Sequence, residues 1–167
     1  MMRGWNGERR TPQSCPIGGR ARAAVHARLG DSRGREPPPA PNSAAEHEIV
    51  TRLTAACESG DVDNLVRLLT EDVWVRMPPM PREYQGRDLA ARFFSIVSFR
   101  PGRTFRIVPT RANGQPALAA YVRDPQTGLY HASGIVVLTL SGRLISAMTG
   151  FDKSVLPSFG LPRVLPS

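Results

Sequence analysis

The spacing of the apolar residues changes near Asp72, and this change limits the folds that the chain can adopt. Before it, apolar residues recur every three to four positions, which is the period of an α-helix. After it, they mostly alternate with polar residues, which is the period of a β-strand. Two helices before the change, one helix soon after it and then four successive strands predict an α+β domain.

Three helices are predicted from apolar spacing and capping residues. The first begins after Asn42 or Ser43, either of which can cap it, and it ends at Gly60. Asp61 can cap the second, so the first two helices form a hairpin. The third begins beyond Gly86 and ends before a Pro-Gly pair.

The first strand follows this helical hairpin. Val73, Val75 and Met77 alternate with Trp74 and Arg76, so the two sets lie on opposite faces of the strand. A proline-rich run directly after them ends the strand, because proline cannot donate a hydrogen bond to a sheet ladder.

Four more strands form a predicted antiparallel meander. Turns are expected at Asn-Gly 113–114, between residues 124 and 128, and at Ser-Gly 141–142. Gly134 interrupts the long strand between the last two turns, which indicates a bend or a bulge. We expect a curved antiparallel sheet that wraps around the third helix, with the N-terminal helices packed on it.

Composition divides the chain near residue 45. Residues 1–45 carry eight arginines and three acidic residues, so they account for +5 of the net charge of +8. Trp5 is their only aromatic residue, and they cannot bury enough apolar surface to offset the entropy lost on ordering. We predict a disordered basic tail over 1–45, a folded domain over 46–160 and a C-terminal extension over 161–167.

The cysteine and hydropathy patterns favour a reduced, cytoplasmic protein. Cys57 occupies an apolar helical position, and Cys15 lies across the predicted boundary, so a buried thiol is favoured over a disulfide. No apolar run approaches the roughly 20 residues of a membrane span, and the N-terminus lacks the apolar stretch of a secretory signal.

Three scattered histidines predict no metal site. The tail arginines lack an aromatic platform, so no specific nucleic-acid binding is predicted.

Four stretches of the sequence resemble a known family. ESGDVDNLVRLLTEDVWVRMPP, at 58–79, resembles the start of the nuclear transport factor 2-like superfamily, which includes ketosteroid isomerase and the SnoaL polyketide cyclases. MPPMPREYQGRD at 77–88, VPTRANGQPALAAYVRD at 108–124 and FDKSVLPSFGLPRVLP at 151–166 resemble the SnoaL-like C-terminal domain of extracytoplasmic-function sigma factors. The resemblance implies a cystatin-like cone, in which helices close a curved sheet around a pocket. It also implies a homodimer, since members of this fold often pair through the sheet.

The chain departs from those sigma factors ahead of this domain. Residues 1–45 contain six prolines and cannot hold the family's two regions that engage RNA polymerase and the promoter. RARAAVHARL, at 20–29, resembles the last helix of the −35-binding region and is a candidate remnant of it. Three interpretations stay open: a truncated sigma factor, a misassigned start site and a standalone domain.

The resemblance to the superfamily's enzymes implies a carboxylate base inside the cone. Asp88 is predicted in the first turn of the third helix, Asp124 in a turn before proline, and Asp152 at the end of the last strand. None of them has the expected position. We therefore favour a non-enzymatic regulatory domain without a cofactor, and the alternative is a cyclase or isomerase of the SnoaL or ketosteroid isomerase type.

Five residues are candidates for lining a ligand pocket. On the first strand, Trp74 and Arg76 could together hold an anionic or aromatic ligand; if the opposite face packs on the core, both are solvated. Tyr84 could cap the cone or only seal the core. Tyr121 and His131 lie on the meander, and His131 is either a proton shuttle or a structural, hydrogen-bonded residue.

The resemblance also implies a partner, which would be the sigma-factor regions or RNA polymerase, and a small apolar ligand. Two segments that contain proline and glycine and are expected to be exposed are candidates for partner contacts: PREYQGRD at 81–88 and FDKSVLPSFGLP at 151–162. Within them we single out Pro81, Tyr84, Gly86, Asp152 and Phe159. The alternative is that these loops only cover the cone.

Overall fold

A computed structural model describes residues 34–167. Most of the predicted tail, 1–45, and all of the candidate remnant, 20–29, lie outside the described residues. Glu36–Ser167 forms one compact unit. Within it, the carbonyl of Glu36 accepts a hydrogen bond from the backbone N–H of Gly142 at 3.2 Å. The chain ahead of the first helix therefore already packs on the sheet.

Two helices begin the domain, as the sequence predicts. Helix α1 spans Ala44–Ser59, and its N-cap Ser43 accepts a backbone hydrogen bond from the first turn at 3.3 Å. It ends at Gly60, whose φ of 68° lies in the left-handed region. Helix α2 spans Val62–Arg67, and the side chain of Asp61 caps it.

The third predicted helix is also present, with an irregular end. Helix α3 spans Arg87–Phe93 and continues as a π-helical turn over Phe94–Ser98. The backbone N–H of Phe99 closes this turn by donating to the carbonyl of Phe94 at 2.8 Å. Turns of this kind occur often at functional sites.

In the described part of the chain, seven strands form one sheet. They are β1 Leu69–Arg76, β2 Glu83–Gln85, β3 Phe105–Ala112, β4 Gln115–Arg123, β5 Tyr130–Ser141, β6 Leu144–Asp152 and β7 Val164–Leu165. Their order is β2-β1-β6-β5-β4-β3, and β7 pairs with β5. The short strands β2 and β7 were not predicted from the sequence.

The sheet is mixed rather than antiparallel throughout, which corrects the sequence-based expectation. Strands β1 and β6 pair in parallel. The chain leaves β1 and β2 at one edge, passes through α3 and enters β3 at the other edge. Three antiparallel hairpins then return it to β1 in the same direction as β1, so this ladder is parallel.

The predicted turn and bulge are confirmed in the meander. Asn113 and Gly114 both have positive φ, 50° and 78°, at the turn between β3 and β4. The β4–β5 register shifts next to the pair of Ala120 and Gly134. A Cβ atom on Gly134 would lie 2.4 Å from the carbonyl oxygen of Phe151, so only glycine fits there.

The two faces of β4 pack against different parts of the chain. Leu118 and Ala120 belong to the core that the helices cover. Ala119 and Tyr121 belong to a second buried cluster, together with residues of a C-terminal 3₁₀ helix, Lys153–Phe159. The C-terminal extension predicted over 161–167 contributes β7, which pairs with the start of β5.

Candidate ligand cavity and its mouth

A cavity of about 530 Å³ lies between α3 with its π-helical turn and the facing strands of the sheet. Its wall is contributed by α1, β1 and the strands β3 to β6, and it is mainly apolar. The sheet residues that line it include Leu118, Ile107 and Met148. The volume lies within the range of about 300–1,000 Å³ that is usual for small-molecule sites.

A row of aromatic rings runs along one side of this cavity. The ring centroids are 4.9 Å apart for Tyr84 and Phe93, 5.3 Å for Phe93 and Phe94, 6.2 Å for Phe94 and Phe99, and 5.4 Å for Phe99 and Phe105. The four phenylalanines line the cavity, whereas Tyr84 packs behind them. We refer to these four rings as the phenylalanine row.

The thiol of Cys57 lines the cavity but is chemically inert at neutral pH. Burial, with a smaller contribution from the neighbouring Glu58, raises its pKa to about 12. A nucleophilic cysteine needs the thiolate form. Cys57 is partly buried against the core rather than fully buried as predicted from the sequence, and a role as nucleophile is not supported.

Two arginines border the mouth of the cavity. Arg103 is half-buried, donates a hydrogen bond from Nη1 to the carbonyl of Val97 at 3.3 Å, and lies 5.2 Å from the centroid of the Phe105 ring. Burial, with a smaller contribution from Arg100, lowers the pKa of its guanidinium. Arg76 instead has Glu83 beside it, with 3.5 Å between Nε and Oε1.

Asp152 also borders the mouth, and its carboxylate is already engaged. It caps the 3₁₀ helix by accepting a hydrogen bond from the backbone N–H of Ser154 at 2.6 Å. Hydrogen bonds from Ser154 lower the pKa of Asp152, so the carboxylate is a weak base.

The predicted pair of Trp74 and Arg76 is present, but only Arg76 reaches the cavity. Its guanidinium carbon lies 4.6 Å from the centroid of the Trp74 ring. Val73 and Val75 are buried in the core, as in the alternative interpretation. The two side chains therefore do not form a joint ligand site inside the cone.

Tyr121 and His131 lie apart from the cavity wall. Tyr121 is completely buried on the opposite face of β4, and its hydroxyl donates to the carbonyl of Pro162 at 2.8 Å. His131 is exposed, with 3.9 Å between its Nε2 and Oδ2 of Asp124. Neither side chain approaches the phenylalanine row.

The five predicted partner contacts divide between the mouth and other places. Pro81 is exposed at the end of the loop that reaches the mouth, and Asp152 borders the mouth itself. Tyr84 packs against α3, and Gly86 begins α3 with a φ of 94°. Phe159 packs in the second cluster, on the other face of the sheet.

The structure adds Arg103 and the phenylalanine row to the candidate site. Phe93 and Phe94 lie within the predicted third helix, but their position at a cavity depends on tertiary packing. Arg103 lies between a Pro-Gly turn and β3. No periodic pattern covers this position, so the sequence does not show which way the arginine side chain points. The sequence signal that could have identified Arg103 is Phe105 two residues later, since arginine and aromatic side chains often stack.

Within residues 34–167, no three His, Cys, Asp or Glu side chains are grouped closely enough to hold a metal ion. In the same part of the chain, no helix combines the length and the hydropathy needed to cross a membrane.

Known sequences resemble this chain over most of the domain. Residues 50–148 match the SnoaL-like domain family. Over 126 residues the chain is 33% identical to the ECF RNA polymerase sigma factor SigG of Mycobacterium tuberculosis, a match that covers 74% of this chain and 33% of that protein. The chain thus spans about a third of the length of the curated relatives it matches.

Solved structures confirm the predicted fold. An NTF2-like protein of unknown function from Mesorhizobium loti has a TM-score of 0.56 at 19% identity, over 69% of this chain and 96% of its own. A Δ5-3-ketosteroid isomerase from Mycobacterium sp. has a TM-score of 0.51 at 15% identity, over 67% of this chain and 95% of its own. Together with the family match, these similarities confirm the resemblance seen in the sequence: the chain belongs to the SnoaL-like domain family and has its NTF2-like, cystatin-like fold.

Proposed function

We propose that this domain is a non-enzymatic regulatory module that binds sigma-factor regions through the rim of its cavity. The observation that carries the proposal is a patch of exposed apolar side chains at the mouth. Met80, Ile96, Val97 and Phe151 are 52%, 63%, 44% and 37% exposed. Three of them line the cavity, and Ile96 adjoins Val97 in the π-helical turn. We call these four residues the mouth patch.

A clustered apolar patch on a small domain is a common mark of a protein–protein contact. The sigma factor that this chain resembles is about three times longer than the matched region. A segment of such a protein is therefore the occupant that we propose for the mouth patch. Pro81 and Asp152 adjoin the patch and would form part of its rim, whereas Phe159 lies on another face and is not included.

The test uses the relative itself as the binding probe. The SigG protein, with the region that matches this chain removed, is titrated with the domain in a calorimeter. We expect a micromolar Kd. A double variant, Ile96→Ser with Val97→Ser, should weaken binding about tenfold or more, because it removes two of the four apolar side chains of the patch.

Leu129→Ser is the matched control for that experiment. Leu129 is 36% exposed in the loop between β4 and β5 and does not line the cavity. Its substitution removes a similar apolar side chain and should leave the Kd within about twofold. No binding by the unmodified domain, or equal losses in the double variant and the control, would refute the docking proposal.

An isomerase or cyclase is the second candidate function, and the apolar cavity with Asp152 at its mouth is the observation in its favour. Against it, the capping hydrogen bonds of Asp152 make this carboxylate a weak proton acceptor. Incubation with a Δ5-3-ketosteroid tests it directly. Isomerisation that is lost in Asp152→Asn would support an enzyme, and absence of turnover by the intact protein supports the regulatory function.

A homodimer and a cytoplasmic location belong to the same proposal. The C-terminal 3₁₀ helix covers part of the sheet face through which a dimer was expected. A dimer through this face would therefore have to use the part of the sheet that the helix leaves open. Sedimentation velocity decides between one copy and two.

A further inference from the structure

Arg103 has no carboxylate partner among residues 34–167. Its contacts are the carbonyl of Val97 and the face of the Phe105 ring, both of which are uncharged. Asp152 borders the same mouth, but it forms no ion pair with Arg103 and caps the 3₁₀ helix instead. A half-buried guanidinium that has only uncharged partners is free to pair with an anion that reaches the edge of the apolar space.

The other arginine at the mouth differs in this respect. Arg76 has Glu83 at 3.5 Å and stacks on Trp74, so its charge is largely compensated within the domain. Of the two arginines that line the mouth in the described part of the chain, Arg103 is therefore the one without an ion pair. A neutral ligand would leave this guanidinium without a charged partner, whereas an anionic group could pair with it directly.

The cavity behind Arg103 suits the apolar part of a small molecule. Its wall includes the phenylalanine row and aliphatic side chains of the sheet, such as Leu118 and Ile107. The thiol of Cys57 is protonated and adds no charge to the interior. Burial of the ligand's apolar chain against these side chains would supply most of the binding free energy. The charge of Arg103 at the mouth would determine which head group binds.

We propose that the cavity binds an apolar carboxylate, with its hydrocarbon body along the phenylalanine row and its carboxylate on the guanidinium of Arg103. An arginine is well suited to this role because its planar fork can donate two parallel hydrogen bonds to a carboxylate. The site goes beyond the docking function proposed above, and it can be tested without any protein partner.

The experiment compares decanoate with decanol on the full chain by isothermal titration calorimetry at pH 7.5. The two probes share the same hydrocarbon chain and differ in head-group charge. We expect decanoate to bind about tenfold more tightly than decanol. Equal affinities, or no binding of either compound, would overturn the proposal.

Three variants locate the site. Arg103→Gln should remove the preference for decanoate while it leaves decanol binding within about twofold, and this retained binding shows that the cavity is still folded. Ala120→Phe fills the cavity and should abolish binding of both probes. Arg52→Gln, on the exposed face of α1, is the matched control and should change neither affinity.

The outcomes of the variants are decisive in combination. A decanoate preference that survives Arg103→Gln, or binding that survives Ala120→Phe, places the probe elsewhere and overturns the proposal. If Arg103→Gln binds neither compound, Arg103→Lys decides, because it keeps the charge and should retain at least part of the preference. A negative result here leaves the binding of the sigma-factor probe unaffected, so the two proposals fail separately.

Discussion

The carboxylate of Glu46 in α1 and the guanidinium of Arg111 in β3 form a hydrogen-bonded ion pair, with 2.5 Å between Oε1 and Nη1 and 3.4 Å between Oε2 and Nη2. Glu46 is buried. Arg111 also donates to the carbonyl of Gly114 at 2.5 Å and to the side chain of Asn42 at 3.1 Å. The pair thus connects the start of the first helix to the hairpin between β3 and β4. This hairpin contains the sequence PTRANGQPA, at 109–117, which therefore has a structural role.

Loss of this pair should destabilise the domain. Glu46→Gln leaves the guanidinium without its charged acceptor, and we expect the Tm to fall by roughly 5 °C at pH 7. Glu48→Gln is the matched control, since Glu48 pairs with Arg143 on the exposed side of the same helix. Exposed pairs contribute little, so that Tm should hardly change. Equal shifts in the two variants would contradict the account.

The contribution of Glu46 should depend on pH. Its hydrogen bond with Arg111 lowers its pKa in the folded state below the value near 4.5 of the unfolded chain. The pair therefore stabilises the folded state above pH 4.5, and this stabilisation is lost as the pH falls through the lower folded pKa. Melting curves should show a large difference between wild type and Glu46→Gln at pH 7, and this difference should shrink as the pH is lowered below 4.5. A difference that grows on acidification would contradict this sign.

The close approach of β5 to β6 at Gly134 gives a second stability prediction. Gly134→Ala places a methyl group against the backbone of Phe151 and should lower the free energy of unfolding by about 2–3 kcal/mol. Gly150→Ala is the comparison within β6, because its Cβ would lie 3.5 Å from Cγ of Met77, an ordinary contact. Urea unfolding measures both, and a smaller effect at residue 134 than at residue 150 would be incompatible with the geometry.

Tyr121 holds the C-terminal segment on the sheet through its hydroxyl. Tyr121→Phe leaves the carbonyl of Pro162 without this donor and should cost about 1 kcal/mol. We expect amide exchange at residues 161–165 to accelerate, while exchange in α1 is unchanged. Uniform acceleration across the domain would mean that the hydroxyl supports the whole fold rather than the segment.

The thiol of Cys57 should resist alkylation. In a Cys15→Ser background, iodoacetamide at pH 7.5 should modify Cys57 much more slowly in the native than in the denatured protein, because a pKa of about 12 keeps the native thiol protonated. Mass spectrometry of the native and the unfolded protein measures this. Rapid modification of the native protein would show that the thiol is accessible and ionised.

Local patterns predicted the elements of this fold better than their arrangement. Capping residues and turn glycines lie where the sequence placed them, as Gly60 and Asn113 illustrate, because these features act within a few residues. The parallel pairing of β1 with β6 was not predicted, because it depends on the path of the chain through α3. Strand β7 has only two residues, and so it gives no periodic signal.

The site was harder to predict because strand faces alone do not define a cavity. Trp74 and Arg76 do share a face, yet only Arg76 reaches the cavity. Tyr121 was assigned to the pocket from its place in an alternating strand, but its face is the one covered by the C-terminal segment. Arg103 could be recognised only once tertiary structure placed it over Phe105 with no ion-pair partner among residues 34–167.

Hydrogen exchange in the presence of the shortened SigG protein tests the central claim most directly. If the mouth patch is the docking surface, binding should protect backbone amides of residues 94–98 and the non-proline amides between Met77 and Arg82. Exchange along β7 and the 3₁₀ helix should stay the same. Protection confined to the 3₁₀ helix and β7, or no protection at saturating partner, would contradict a regulatory contact at the mouth of the cavity.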